Sequence, residues 1–159
     1  MNGAEFNQAK LFIFSDVERE IQLAKVSARD SGQRALRRLR ILPGGGNFLA
    51  ALGLLCYTEF GGKLMFKRRA ASANFNAFFD FLGAPYKTLR AKHDVYDILR
   101  CGLAHEYYVK QSCTIAMASG SAGPGLRIDP HGHFTFVVEA YSRDLSRAFD
   151  RLGRTRFGT

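Results

Sequence analysis

The sequence predicts a mainly α fold: an antiparallel bundle of four to five helices, with a small β-hairpin or three-stranded insertion before the last helix. Apolar residues recur at helical spacing through most of the chain, and the short connections between these segments are typical of antiparallel neighbours. The pattern changes to alternation and β-forming residues only between about residues 112 and 138. At 159 residues the chain is long enough to bury a sizeable core, so we expect a single domain over residues 1–159.

The helices are placed by period and by end signals. Ser15 and Glu18 fit a capping box, so the first helix is expected from about Asp16, or from Leu11, to about Asp30. The later helices are expected over about 34–40, 48–60, 74–82, 94–108 and 139–152. Asn47 is expected to cap the helix at 48–60, and Gly61-Gly62 is expected to end it.

Smaller signals complete the order of elements. Leu36 and Leu39 are spaced to share one buried face of the basic segment 34–40. Strands are expected at 113–117, 126–129 and 134–138, with a flexible turn at 120–125 and a hairpin connection at 130–132. A basic tail is expected over about 153–159.

The balance of charge favours a polyanionic partner. The chain has 23 Lys and Arg against 14 Asp and Glu, a net charge of +9. Such an excess suits RNA, DNA, a nucleotide or an acidic protein. Two basic clusters are predicted to bind a nucleic-acid backbone together, and a solvated helix face is the alternative of equal weight. The clusters consist of Arg34, Arg37, Arg38 and Arg40, and of Lys67, Arg68 and Arg69.

The cysteines and the apolar segments favour a cytoplasmic protein. Three cysteines without a C-x-x-C pair fit neither a disulfide framework nor a cysteine-only zinc site. The polar start, Met1 to Gln8, lacks the order of a secretion signal. The longest uncharged run, Ile41 to Thr58, contains Pro43 and several glycines, so we expect no membrane span.

The most informative residues are Arg100, His105 and Tyr107, which fall on the expected helix 94–108. Arginine offers a planar fork of donors to phosphate oxygens, and histidine exchanges a proton near neutral pH. On a regular α-helix Arg100 and Tyr107 share a face, and His105 lies on the other shoulder of the polar arc. Cys101 and Ala104 would form a floor of small residues between them, and Asp97 could pair with Arg100.

This pattern, R-x(4)-H-x-Y, resembles the HEPN superfamily of small helical bundles. The resemblance implies a metal-independent ribonuclease of the toxin or defence type, with Arg100 and His105 working across a homodimer. Tyr107 extends the match to toxins paired with nucleotidyltransferase antitoxins, in which the tyrosine is the residue that receives AMP. Cys101 departs from the family pattern, because a polar residue, often asparagine, usually follows the arginine.

Alternatives stay open at this point. A non-catalytic RNA- or nucleotide-binding module or sensor subunit would use the same basic groups, and a purely structural domain would use Arg100 only to pair with Asp97 or with a neighbouring helix. His131 and His133 are more typical of a hairpin turn than of a metal site. Pro43–Asn47 is more typical of a plain turn than of a phosphate-binding loop. We therefore expect no metal and no cofactor.

Overall fold

The computed structural model describes residues 1–118 and 122–158, which form six α-helices, one π-helix and a three-stranded sheet. In chain order the elements are α1 (Gly3–Ser27), α2 (Asp30–Arg38), α3 (Asn47–Phe66), α4 (Ala71–Leu82), α5 (Ala84–Arg90), the π-helix (Tyr96–Glu106), β1 (Cys113–Ala116), β2 (Leu126–Ile128), β3 (Phe134–Val137) and α6 (Val138–Phe157). The predicted mainly α fold, with a small β insertion before the last helix, is confirmed. The short helix α5 was not predicted, because Gly83 and Pro85 indicate a break, whereas Pro85 lies in the first turn of α5.

Helix α3 lies at the centre of the molecule. It packs against α1, α4, α6, the π-helix and β1, and Ala51, Leu54 and Leu55 are fully buried. The predicted end at Gly61-Gly62 is wrong, because the helix continues to Phe66. Both glycines are packing positions: a Cβ at Gly62 would overlap the Asn74 backbone of α4, and one at Gly61 would lie 2.6 Å from the Phe78 ring.

The length of α3 also changes the membrane expectation. Asn47–Phe66 is the one helix in the described part of the chain that is long and apolar enough to cross a membrane by length and composition. Its contacts with five neighbouring elements account for that apolar character, since a central helix must be apolar nearly all round.

The start of the chain differs most from prediction. Helix α1 begins at Gly3, where Asn2 and Glu5 form the capping box that was assigned to Ser15 and Glu18. Ser15 is instead an exposed residue in the middle of α1. The helix begins earlier than predicted because its buried face begins as early as Phe6.

Two smaller expectations about helix ends and faces also fail. Leu39 is 71% exposed, since α2 ends at Arg38 and only Leu36 is buried. The N-cap of α3 is Gly46, in the left-handed conformation, and not Asn47. The Asn47 side chain instead donates a hydrogen bond to the Ile115 carbonyl of β1, at 2.7 Å.

The sheet has the order β1-β3-β2. Strands β2 and β3 form the predicted hairpin, and β1 pairs with β3 in parallel, with Cys113 opposite Phe134. Of the turn predicted at 120–125, residues 120 and 121 lie outside the described residues. Helix α6 follows β3 directly and continues to Phe157, so the region expected to be a basic tail is mostly the last turns of this helix.

Exchanging Gly62 for alanine is expected to lower the free energy of unfolding by about 1–3 kcal/mol, because the new methyl group would force α3 and α4 apart. Gly53→Ala is the matched control. A Cβ there meets only the Tyr57 ring at 3.7 Å, so the helix should gain roughly 0.5–1 kcal/mol. Urea unfolding followed by circular dichroism measures both, and equal effects would contradict the packing role of Gly62.

Candidate functional site

The segment that carries the R-x(4)-H pattern is a π-helix and not the predicted α-helix. Its start agrees with prediction, since the Asp94 carboxylate accepts a hydrogen bond from the Asp97 amide at 3.1 Å. A π-helix closes its hydrogen bonds between residues five apart, so its turns are wider than those of an α-helix. Arg100 and His105 are five residues apart, which is the spacing of one such hydrogen-bonded turn.

This winding changes the angle between the two residues. Five residues of an α-helix rotate by about 500°, which leaves the two positions about 140° apart. The wider π-turn rotates by about 80° per residue, so the same five residues end only about 40° apart on an ideal π-helix. The winding that the structure shows therefore brings these two positions closer in angle than the α-helix expected from the sequence.

The chain beyond the helix folds back across it at Gly102. The Gly102 carbonyl accepts hydrogen bonds from the Tyr107 and Tyr108 amides, and the Lys110 amide donates to the Ile98 carbonyl at 3.1 Å. A Cβ at Gly102 would overlap the Tyr108 carbonyl, so glycine is required by the close approach that the sequence predicted. The predicted inward stripe is also confirmed: it consists of Val95, Ile98, Leu99, Gly102 and Leu103, all buried.

Arg100 pairs with a residue of the neighbouring helix. Its Nε lies 3.0 Å from Oε2 of Glu59 on α3, and its guanidinium group lies over the Tyr96 ring at 5.9 Å. The Nε–H is not aligned for a hydrogen bond to the carboxylate, so this contact is an ion pair. Asp97, the predicted partner, instead binds Lys110 Nζ at 2.8 Å.

The ion pair is partly withdrawn from solvent. The Arg100 side chain is 19% exposed and that of Glu59 is 25% exposed. The Arg100 guanidinium makes no hydrogen bond to any other residue within 1–118 and 122–158. Its two terminal nitrogens thus remain free to donate, while Glu59 fixes the Nε side.

His105 and Tyr107 lie on the surface. The His105 ring makes no hydrogen bond to the described residues, and it sits in the last turn of the π-helix. Tyr107 is 61% exposed and leaves the helix in the left-handed conformation, with φ +51°. Its ring lies 5.7 Å from that of Phe48 on α3, the helix that also carries Glu59, the partner of Arg100.

The floor between these groups contains small side chains, as expected. Ala104 is exposed and Cys101 is half-buried. Cys101 lies beside the Tyr96 hydroxyl, and burial is the main reason why the pKa of that tyrosine is raised. Cys56 of α3 faces Arg100, and burial raises the pKa of its thiol while the arginine opposes the change. Both cysteines are free.

No hydrogen bond or ion pair joins Arg100, His105 and Tyr107 to one another in the part of the chain that the structure describes. Sequence reasoning missed Glu59 and Cys56, which lie about 40 residues before their partner. No local pattern marks such a contact, since it exists only because α3 and the π-helix pack together.

The two basic clusters form separate surfaces. Arg34, Arg37 and Arg38 are on α2 and Arg40 follows it, whereas Lys67, Arg68 and Arg69 follow the other end of α3. The two clusters thus lie towards opposite ends of α3, whose 20 residues span about 30 Å.

The weaker candidate sites have structural roles. The His133 ring nitrogens lie 2.6 Å from Ser112 Oγ and 2.9 Å from Thr114 Oγ1. Nowhere in the described ranges do three His, Cys, Asp or Glu side chains form a metal-binding group. At the glycine turn before α3, the Glu20 carboxylate lies 2.8 Å from where a Cβ of Gly46 would be, which disfavours a bound phosphate.

Comparisons with protein-family models, with curated proteins and with solved structures found no match.

Glu59→Gln is expected to lower the free energy of unfolding by about 1–3 kcal/mol, because it leaves the half-buried Arg100 cation without its counterion. The control is Glu106→Gln, which removes an exposed carboxylate 3.8 Å from Lys110 and should cost less than about 1 kcal/mol. Chemical denaturation of both variants tests the difference. Indistinguishable midpoints would show that the Arg100–Glu59 pair carries no stability.

Proposed function

We propose that the protein binds RNA and cleaves it without a metal ion, with Arg100 and His105 as the catalytic residues. The observation that carries the proposal is the π-helical winding of Tyr96–Glu106, whose five-residue turn matches the spacing of Arg100 and the exposed His105. The resemblance to HEPN ribonucleases supports the same assignment, since Arg100 and His105 match the R-x(4)-H pattern of that superfamily.

The chemistry follows from the two side chains. The His105 imidazole takes the proton of a ribose 2′-hydroxyl, and the 2′-oxygen attacks the adjacent phosphorus. The bond to the 5′-oxygen breaks, and that oxygen leaves with a proton from an imidazolium. The products are a 2′,3′-cyclic phosphate and a 5′-hydroxyl end. The terminal nitrogens of Arg100 bind the non-bridging oxygens, where negative charge increases in the transition state.

Glu59 acts here as a positioning residue. It holds the Nε side of the guanidinium through the ion pair, which leaves the two terminal nitrogens for a phosphate. A preorganised cation stabilises the transition state without a reorganisation cost at the moment of reaction.

Two copies would complete the site. One histidine cannot act as base and acid on opposite sides of the phosphorus at once, and a two-fold dimer supplies a second Arg100 and a second His105. The resemblance also suggests a nucleotidyltransferase-like antitoxin as partner in the cytoplasm. Tyr107 fits the role of acceptor for AMP, since its side chain is 61% exposed.

A second candidate is a non-catalytic RNA- or nucleotide-binding or sensor module. The specific observation that favours it is the engagement of Arg100 by Glu59, which neutralises part of the cation. Cys101 in place of the usual polar residue points the same way. This module would bind RNA through charge and leave it intact.

An RNA cleavage assay in excess EDTA is expected to yield 2′,3′-cyclic phosphate ends. His105→Ala should lower the rate by about 10²- to 10⁴-fold, because it removes the general acid and base. The matched control is His131→Ala, which changes an exposed histidine in the β2–β3 turn and should keep the wild-type rate. Equal rates in all three proteins would contradict the assignment, and salt-sensitive binding without cleavage would favour the second candidate.

Mixed dimers test whether two copies share one site. Arg100→Ala and His105→Ala homodimers should both be inactive. A heterodimer of wild-type and His105→Ala chains retains only one histidine for the two roles, so it should cleave RNA at well below half the wild-type rate. Sedimentation velocity monitors assembly, and a monomer at every protein concentration would contradict the dimeric site.

A further inference from the structure

One end of the molecule carries a dense group of cations. Residues 60–79 and 151–158 contain seven Lys and Arg and no Asp or Glu. The cationic end, as we name it, consists of Lys63, Lys67, Arg68, Arg69, Arg151, Arg154 and Arg156. We propose that this surface binds the phosphate backbone of single-stranded RNA, apart from the Arg100–His105 site.

Contacts between the ends of α3 and α6 make the cationic end one surface. Arg156 Nη2 donates a hydrogen bond to the Met65 carbonyl at 2.6 Å, and so links the last turn of α6 to the last turn of α3. The guanidinium of Arg151 lies over the Phe81 ring at 4.5 Å, and the Phe81 ring meets that of Phe66 edge-on. The sequence separates these cations by more than 80 residues, so only the fold brings them together.

A buried side chain fixes the loop that presents the central cations. Asn74 is 4% exposed, and its amide group accepts a hydrogen bond from the Arg68 amide and donates one to the Arg68 carbonyl, both at 2.8 Å. It also donates to the Ala70 carbonyl at 3.2 Å. Because the backbone is already ordered, binding pays less conformational entropy at this loop.

The charges of the cationic end are not neutralised locally. Among the residues that the structure describes, none of the seven pairs with a carboxylate, whereas Arg90 and Lys10 pair with Asp80 and Asp150. Arg151 and Arg156 also bind main-chain carbonyls, which is a structural role. The partial negative charge at the ends of two helices, about half a unit each, offsets only a small part of seven cations.

The aromatic rings favour a single strand over a duplex. Arg68 lies over the half-buried Phe66 at 6.0 Å, as Arg151 does over Phe81. Guanidinium planes beside aromatic rings are surfaces on which unpaired bases stack. In a duplex the bases are stacked inside the helix, so only its phosphates could contact this surface, through the cations and not through the rings.

The position of this surface suits an RNA that also reaches Arg100. Lys63 is one helical turn from Glu59 on α3, so these two share a face, and Lys67 follows directly after the end of the helix. The distance from Glu59 to Lys67 along the helix is about 12 Å, or eight residues. The inference rests on the RNA-binding part of the proposed function and not on cleavage.

The test compares two triple variants with equal loss of charge, Lys67→Gln/Arg68→Gln/Arg69→Gln and Arg34→Gln/Arg37→Gln/Arg38→Gln. Binding of a labelled unstructured RNA of about 16 nucleotides is measured between about 50 and 200 mM salt, in the His105→Ala background so that the RNA stays intact. The first variant should lower the slope of log affinity against log salt by about 2, since each phosphate contact contributes about 0.7. Adding Arg154→Gln should lower it by about 0.7 more. The second variant should leave the slope nearly unchanged.

Equal slopes for the two triple variants would overturn the proposal, because net charge alone would then explain binding. An unchanged slope on adding Arg154→Gln would also overturn it, since α6 would not take part. Displacement of the RNA by anionic lipid vesicles as readily as by unlabelled RNA would overturn the assignment to RNA. Cleavage in the wild-type protein is assayed separately. RNA binding that depends on the cationic end without cleavage would refute the nuclease and support this surface.

Discussion

Close contact between the backbones of α3 and α4 at Gly62 determines where much of the molecule lies. Asn74 packs its main chain against this glycine, and the same residue holds the Arg68 loop through its side chain. One turn earlier, Glu59 faces the π-helix, and the buried Thr58 hydroxyl meets that of Tyr141 on α6 at 2.9 Å. A few residues of one apolar helix therefore position the core, the candidate catalytic arginine and the cationic end.

The π-helix is the second constraint, and it has an identifiable cause. Such winding is rare because its hydrogen bonds leave a wider, less well packed turn, and it is often found at functional sites. Here the chain returns across the helix at Gly102, where main-chain groups of Tyr108 and Lys110 take positions that a side chain would otherwise fill. The same return places Tyr107 on the surface in a left-handed conformation.

The sequence predicted the order of elements better than their ends. The hydrophobic period identified the buried stripe of the π-helix, but this stripe is compatible with both windings, so the prediction of an α-helix was wrong. Ser15 and Glu18 have the spacing of a capping box, yet the same spacing occurs inside a helix whose buried face continues past it. Gly61 and Gly62 resemble a helix end, whereas tight packing against α4 required them.

Contacts between distant segments could not be predicted from local patterns. The pairing of Arg100 with Glu59 depends on how the π-helix packs on α3, and Asp97 was the nearer carboxylate in sequence. The two basic clusters looked like one surface because nothing in their composition shows that α3 separates them. The three candidate site residues were chosen for their resemblance to a family pattern and not for a hydrophobic period.

The bond from Asn47 to the Ile115 carbonyl has a consequence for behaviour at high concentration. Strand β1 is an outer strand of the sheet, and such strands offer unpaired main-chain groups to other molecules. The Asn47 side-chain amide donates a hydrogen bond to one of these carbonyls, and the strand is only four residues long. Self-association by strand addition is thereby disfavoured on this side of the sheet.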